Sequence, residues 1–283
     1  MNQTIPQSQI KFFQVFGALL FGIYILTPYS HIFTFQNFKT ICTSALHLLV
    51  GTPGSICQWL NLIQNRRKFS NELKFNLDSQ NVIMFVHGRN GHSADFKPLI
   101  DNIKQLTNSV YNPITINNTS YHLASVNLKN TGYASIDEDV DKLKEELMSY
   151  NNCSITLVGL SKGGITIMRY LTTQNDQRIK KVITISSPIK GTYIGNLFPE
   201  SSVVFQGLSH DNKISQEIIV AKNKLNVPIH HIVPTWDHLI IPASNAAYDD
   251  TPEENIFRYD GMWYGHVGIC ENGDVAKAII KWL

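Results

Sequence analysis

The chain has 283 residues, 43% apolar, 16% charged and 10% aromatic, enough for one sizeable α/β domain with an extension and without the charge excess or aromatic poverty of a disordered polypeptide. A formal net charge of +2 is too mild for a nucleic-acid surface, and no basic run interleaved with aromatics occurs. Cys42, Cys57, Cys153 and Cys270 have no C-x-x-C spacing and no companion histidines, which argues against a zinc site; a Cys42 to Cys57 disulfide would need an oxidising compartment, and four reduced, mostly buried thiols fit the spacing equally.

Residues 12–26 are uncharged and follow a single Lys11; Gln14 is their one strongly polar residue. The run is shorter than the ~20 residues of an upright membrane span, although residues 27–35 could extend it at the interface. The leading expectation is an uncleaved membrane anchor. A cleaved secretory signal and a buried helix are the alternatives, the signal disfavoured because no Ala-x-Ala-like site follows. Residues 41–63 are broken by Gly51, Pro53 and Gly54 and suggest two short helices rather than a span. Arg66, Arg67 and Lys68 close this region, so residues 1–70 are expected to be an apolar extension and 71–283 a separate domain.

From Glu72 onward short β runs alternate with amphipathic helices. Residues 82–86 form a continuous apolar strand of the parallel-sheet type, and 123–126 a weaker one. Residues 136–148 repeat apolar side chains at Ile136, Val140, Leu143 and Leu147 behind an acidic start, the pattern of a surface helix. A strand from Ser154 leads into a helix reaching Tyr170, strands follow at 182–185 and 229–233, and a helix at 274–282 closes the chain. This alternation predicts an α/β fold: a mostly parallel sheet covered by helices on both faces.

Between the central strand and helix lies Gly159-Leu160-Ser161-Lys162-Gly163. A strand that turns sharply into a helix needs small residues two before and two after its apex, and Gly159 and Gly163 supply them. Ser161 is thereby presented at a helix N-terminus, where the next N–H can meet a developing negative charge. A serine hydroxyl is a weak nucleophile until a base takes its proton, so a histidine and an orienting acid are expected later in the chain. Asp237 follows the strand 229–233, on the sheet edge where parallel strands place their sites; Asp249, Asp250 and Asp260 are alternatives. His266 lies between Gly265 and Gly268 in a loop before the final helix. The order Ser161, Asp237, His266 is that of elbow-type hydrolases. For an oxyanion hole, one donor is expected from the Lys162 N–H and the other from Arg89, in the loop behind the first strong strand. No cofactor or metal is called for.

Five motifs stand in one order: residues 86–96 (Val-His-Gly-Arg-Asn-Gly-His-Ser-Ala-Asp-Phe), 158–164 (Val-Gly-Leu-Ser-Lys-Gly-Gly), 185–192 (Ile-Ser-Ser-Pro-Ile-Lys-Gly-Thr), 236–242 (Trp-Asp-His-Leu-Ile-Ile-Pro) and 265–268 (Gly-His-Val-Gly). From about Asn81 the chain resembles the α/β hydrolases, in particular membrane-associated serine esterases and lipases that include relatives of the GPI inositol deacylase. Leu160 and Lys162 around the serine depart from the more frequent residues. The resemblance implies hydrolysis of carboxylic esters, with a lipid ester as the expected substrate. An acyltransferase with the same three residues, or a non-catalytic membrane-anchored interaction protein on this scaffold, are the alternatives. Residues 191–215, semi-apolar between two strands, are expected either to contribute a cover over an acyl chain or, equally, to be a surface excursion with buried anchors.

Overall fold

A computed structural model describes residues 80–128, 134–195, 207–210, 212–261, 264–266 and 268–283. The apolar runs 12–26 and 41–63, Cys42, Cys57 and the boundary near residue 70 lie outside the described residues. No helix among the described residues is long and apolar enough to cross a membrane.

Strands β1 (Asn81–Val86), β2 (Ile114–Ile116), β3 (Thr119–Val126), β4 (Ser154–Leu160), β5 (Ile179–Ile185), β6 (Ile229–Pro234) and β7 (Ile256–Tyr259) form one sheet in the order β2-β3-β1-β4-β5-β6-β7. Only the short β2 is antiparallel, to β3; the other described pairings are parallel. Helices α1 (Lys97–Leu106), α2 (Ile136–Leu147), α3 (Lys162–Thr173), α4 (Lys213–Ala221) and α5 (Gly273–Trp282) complete the α/β-hydrolase architecture that the motifs imply.

The two-residue period of β1 divides the core. Val82, Met84 and Val86 face a cluster containing Val140, Leu143 and Leu147 of α2, Ile165 and Met168 of α3, and Ile218 of α4. Ile83 and Phe85 face the opposite cluster, with Leu99 and Ile103 of α1 and Val275 and Ile279 of α5. Because both faces are covered, β1 is apolar without a break from Val82 to Val86 rather than alternating. The central α3 is buried on most of its circumference; Ile165, Ile167 and Met168 are fully enclosed, each contributing about 1.5–3 kcal/mol by burial. Helix α2 starts on a capping box, in which Ser135 Oγ accepts the Glu138 N–H at 3.2 Å and Glu138 accepts the Ser135 N–H at 2.6 Å.

Three differences from the sequence reading concern short or locally ambiguous elements. Strands β2 and β7 have three and four residues, too few for a periodic signal. Helix α1 went unread although Pro98 in its first turn and the buried Leu99, Ile100 and Ile103 mark it. The third is α4, which begins at Lys213 within the stretch 191–215; there Thr192 also pairs with Ser209. Residues 196–206 and 211 of this stretch lie outside the described residues.

Candidate active site

The carboxyl ends of the parallel strands carry the site. Ser161 follows β4 at φ 54° and ψ −125°, a backbone conformation that costs a non-glycine residue about 1–3 kcal/mol and persists only when its surroundings enforce it. Here they do. The Ser161 N–H donates to Ile185 O at 2.8 Å, and its carbonyl accepts the Gly164 N–H at 3.0 Å. A methyl group on Gly159 would lie 2.6 Å from Gly164 N and Cα, and one on Gly163 would lie 2.6 Å from His87 O and nearer still to Val86 O. Both elbow glycines therefore meet a steric demand, and so does Gly164, whose substitution would drive a carbon to 2.6 Å from Ser187 Cβ. Ser161 stands at the N-cap of α3 but its side chain accepts no hydrogen bond from the helix, which leaves its hydroxyl for another partner.

That partner is His266, whose Nε2 lies 2.7 Å from Ser161 Oγ. On the other side of the ring, Nδ1 is 2.9 Å from Asp237 Oδ2 and 3.1 Å from Oδ1. An ionised carboxylate can only accept, so Nδ1 carries the proton and Nε2 is left to accept from the serine hydroxyl. Asp237, 1% exposed, also takes the N–H groups of Leu239 at 2.8 Å and Ile240 at 3.0 Å. Burial pushes its carboxyl up, but the charge and hydrogen bond of His266, with smaller help from His238 and the Leu239 N–H, outweigh this and hold it below the ordinary carboxylate range. The neighbouring His238 ring stands edge-on to His266, centroids 6.3 Å apart, and burial pushes its imidazole down to about 4 despite Asp237.

The alternative acids are engaged elsewhere. Asp249 is ion-paired with Lys190 at 2.5 Å and Asp250 with Lys222, while Asp260 accepts from Thr235 Oγ1; all three are exposed.

On the oxyanion side, the Lys162 N–H occupies the first position of α3, where no intrahelical carbonyl can meet it. Gly88, one residue before Arg89, lies directly against the serine: a methyl group on it would be 2.9 Å from Ser161 Cβ. Arg89 itself is exposed, in a turn closed by Gly91 N–H to Gly88 O at 3.1 Å. His87 sets this turn. Its Nε2 accepts the Leu128 N–H at 3.0 Å, so its Nδ1 carries the proton and donates to Gly88 O at 2.9 Å. The sequence reading gives this loop a role only through Arg89; nothing in one sequence shows that the His87 ring is wholly buried and bridges two loops.

One expectation is corrected. The acidic start of α2 fits a surface helix at Asp137 and Glu138, but Asp139 is 1% exposed and pairs with the equally buried ammonium of Lys162 at 2.7 Å. Lys162 Nζ also donates to Ala134 O at 2.5 Å. Burial pushes Asp139 above the ordinary carboxylate range, although Lys162 pulls it back.

Among the described residues no group of three or more His, Cys, Asp or Glu could hold a metal ion. Cys153 and Cys270 are free thiols, and burial pushes both up, which keeps them protonated.

No curated protein sequence matches the chain. Among solved structures, Aspergillus fumigatus lipase B superposes with a TM-score of 0.55 at 12% identity, over 74% of this chain and 53% of the lipase. A metagenome-derived lipolytic enzyme, from the pair LipS and LipT, gives 0.52 at 13% identity, over 74% of this chain and 97% of its own. Bacillus licheniformis lipase BlEst2 gives 0.50 at 14%, over 74% and 93%. At such identities these likenesses establish the fold. The family model for palmitoyl protein thioesterase matches residues 81–227, from β1 past α4 and across the serine elbow. That match spans more than half of the 283 residues, and the chain belongs to the palmitoyl protein thioesterase family, among the α/β hydrolases.

Proposed function

We propose that the protein is a serine hydrolase that cleaves carboxylic esters or thioesters of fatty acyl groups through an acyl-enzyme. Ser161 Oγ attacks the acyl carbonyl while His266 Nε2 takes its proton. Asp237 holds the imidazole in the required tautomer and stabilises the imidazolium. The oxyanion is met by the N–H groups of Lys162 and Arg89. The imidazolium then protonates the departing alkoxide or thiolate, and water, deprotonated by His266, releases the fatty acid and frees Ser161. What supports the reading most is the unbroken chain from Ser161 Oγ through His266 to the buried Asp237, at 2.7 and 2.9 Å. Family membership favours an acyl thioester among the substrates to be tried first.

A fluorophosphonate probe tests it: the folded protein should be labelled, and Ser161→Ala should abolish labelling. Absence of labelling, or labelling that survives Ser161→Ala, sinks the reading. Release of palmitate from thioesters and oxygen esters, measured side by side, decides between the two bonds.

Residues 1–70 are proposed as an apolar extension that keeps the catalytic domain, 71–283, near lipid, with 12–26 as the anchor. Full-length protein should then float with vesicles, and a chain beginning near Arg66 should not. Full-length protein that stays soluble without detergent refutes the anchor.

A further inference from the structure

Lys162 follows the serine directly, and electrostatics alone would not put a charge where its side chain lies. The side chain is 1% exposed and leaves from the first turn of α3, where the helix is already positive. A buried ion pair there is commonly no more stable than apolar side chains of the same size. What the charge supplies is a fixed length and two anchors: the Asp139 carboxylate at 2.7 Å and Ala134 O at 2.5 Å, immediately before the N-cap Ser135 of α2.

We propose that Lys162 is a positioning residue, whose side chain, clamped to α2 by Asp139 and Ala134, keeps the Ser161–Lys162 peptide turned so that the Lys162 N–H points at the developing oxyanion. The turn is restrained on its other sides as well. Gly163 rests against the carbonyls of Val86 and His87, and Ser161 is tied to β5 through Ile185 O. The clamp adds the restraint toward α2. Opposite it, His87 anchors Gly88 and Leu128 in the same manner. A peptide held off its preferred backbone conformation needs such over-determination, because a shift of about 1 Å at a reacting group costs on the order of 100-fold in rate.

The inference rests on Ser161 being the nucleophile, and the test separates the two. Lys162→Met and the double variant Lys162→Met/Asp139→Leu are compared with wild type for melting temperature, kcat, KM and rate of fluorophosphonate labelling. The double variant removes both buried charges, so its Tm should equal or exceed that of wild type. Its kcat and labelling rate should nevertheless remain about 10- to 100-fold low, with KM within about twofold, because the lost interaction serves the transition state. A double variant whose kcat returns to wild type shows that the pair only supports the fold, and this overturns the proposal. A raised KM at unchanged kcat does the same. If Lys162→Met does not fold, the double variant carries the test alone. Labelling of the wild type that survives Ser161→Ala overturns the nucleophile reading itself.

Discussion

Two buried carboxylates flank the serine elbow, and they behave oppositely. Asp237 and Asp139 are each 1% exposed, and each meets a basic partner, His266 at 2.9 Å and Lys162 at 2.7 Å. Yet Asp237 is held below the ordinary carboxylate range and Asp139 above it. Burial acts the same way on both, so the difference lies in what else reaches the oxygens. Asp237 takes two backbone N–H groups and both its oxygens approach His266; Asp139 has one oxygen on one ammonium. The charge of His266 and its hydrogen bond carry most of the difference, with His238 and the Leu239 N–H adding less, while Lys162 reaches only one oxygen of Asp139. A carboxylate that must stay ionised while its histidine partner changes charge therefore needs the first environment. One that holds Lys162 in place without itself meeting the reacting groups can occupy the second.

The strongest way to break the comparison is to neutralise each carboxyl in turn. Asp237→Asn should stay folded, yet lower kcat by about 10³- to 10⁴-fold, because an amide nitrogen facing Nδ1 favours the wrong imidazole tautomer. Steady-state ester hydrolysis with a circular dichroism control reads this. Near-wild-type turnover would remove Asp237 from its assigned role. Asp139→Asn should lower kcat less, by about 10- to 100-fold through the loosened Lys162 clamp, but should cost more stability: stranding the Lys162 ammonium in the interior should cost about 3–5 kcal/mol in urea unfolding.

A smaller effect comes from pH, and its sign differs between the two. The lowered Asp237 favours folding above the ordinary carboxylate pKa, and this contribution is lost as pH falls through its depressed value. The raised Asp139 favours folding below the ordinary value, and that contribution is lost as pH rises through its elevated one. Between about pH 7 and about pH 3, Asp237→Asn should thus flatten the acid loss of stability and Asp139→Asn should steepen it. His231 and His230, pushed down by burial to about 3 and about 4, add acid sensitivity common to every variant, so the differences isolate the carboxylates. Parallel acid limbs would refute the assignment of opposite shifts. Smallest of all should be Asp249→Asn: the Asp249 carboxylate is 85% exposed in its pair with Lys190, and turnover should stay within about twofold of wild type in the same assay.

Helices and strands with several residues of clean period were legible in the chain itself. Strands β1, β4, β5 and β6 and helices α2, α3 and α5 all lie within a few residues of where the pattern puts them. The edge strands β2 and β7, too short to show a period, are set by pairing with neighbours distant in sequence. The motif order pointed to the superfamily, while the thioesterase family became visible only by comparison.

Within the site, the sequence by itself determined Ser161, its flanking glycines and the candidacy of Asp237 and His266, because a strained turn admits few residues and the motifs stand beside strand ends. The sequence put Asp237 ahead of Asp249, Asp250 and Asp260 by its place after a strand; that its carboxylate lies 2.9 Å from His266 while the other three are engaged elsewhere is decided by where the loops deliver them. The same holds for Asp139 and His87. One is an acid that looks like helix-cap decoration, the other a histidine that looks like a turn, and only the burial of each against residues about 23 and 41 positions away in the chain reveals a partner. Periodicity reports the face on which a side chain lies; what meets it there is decided by how the faces pack.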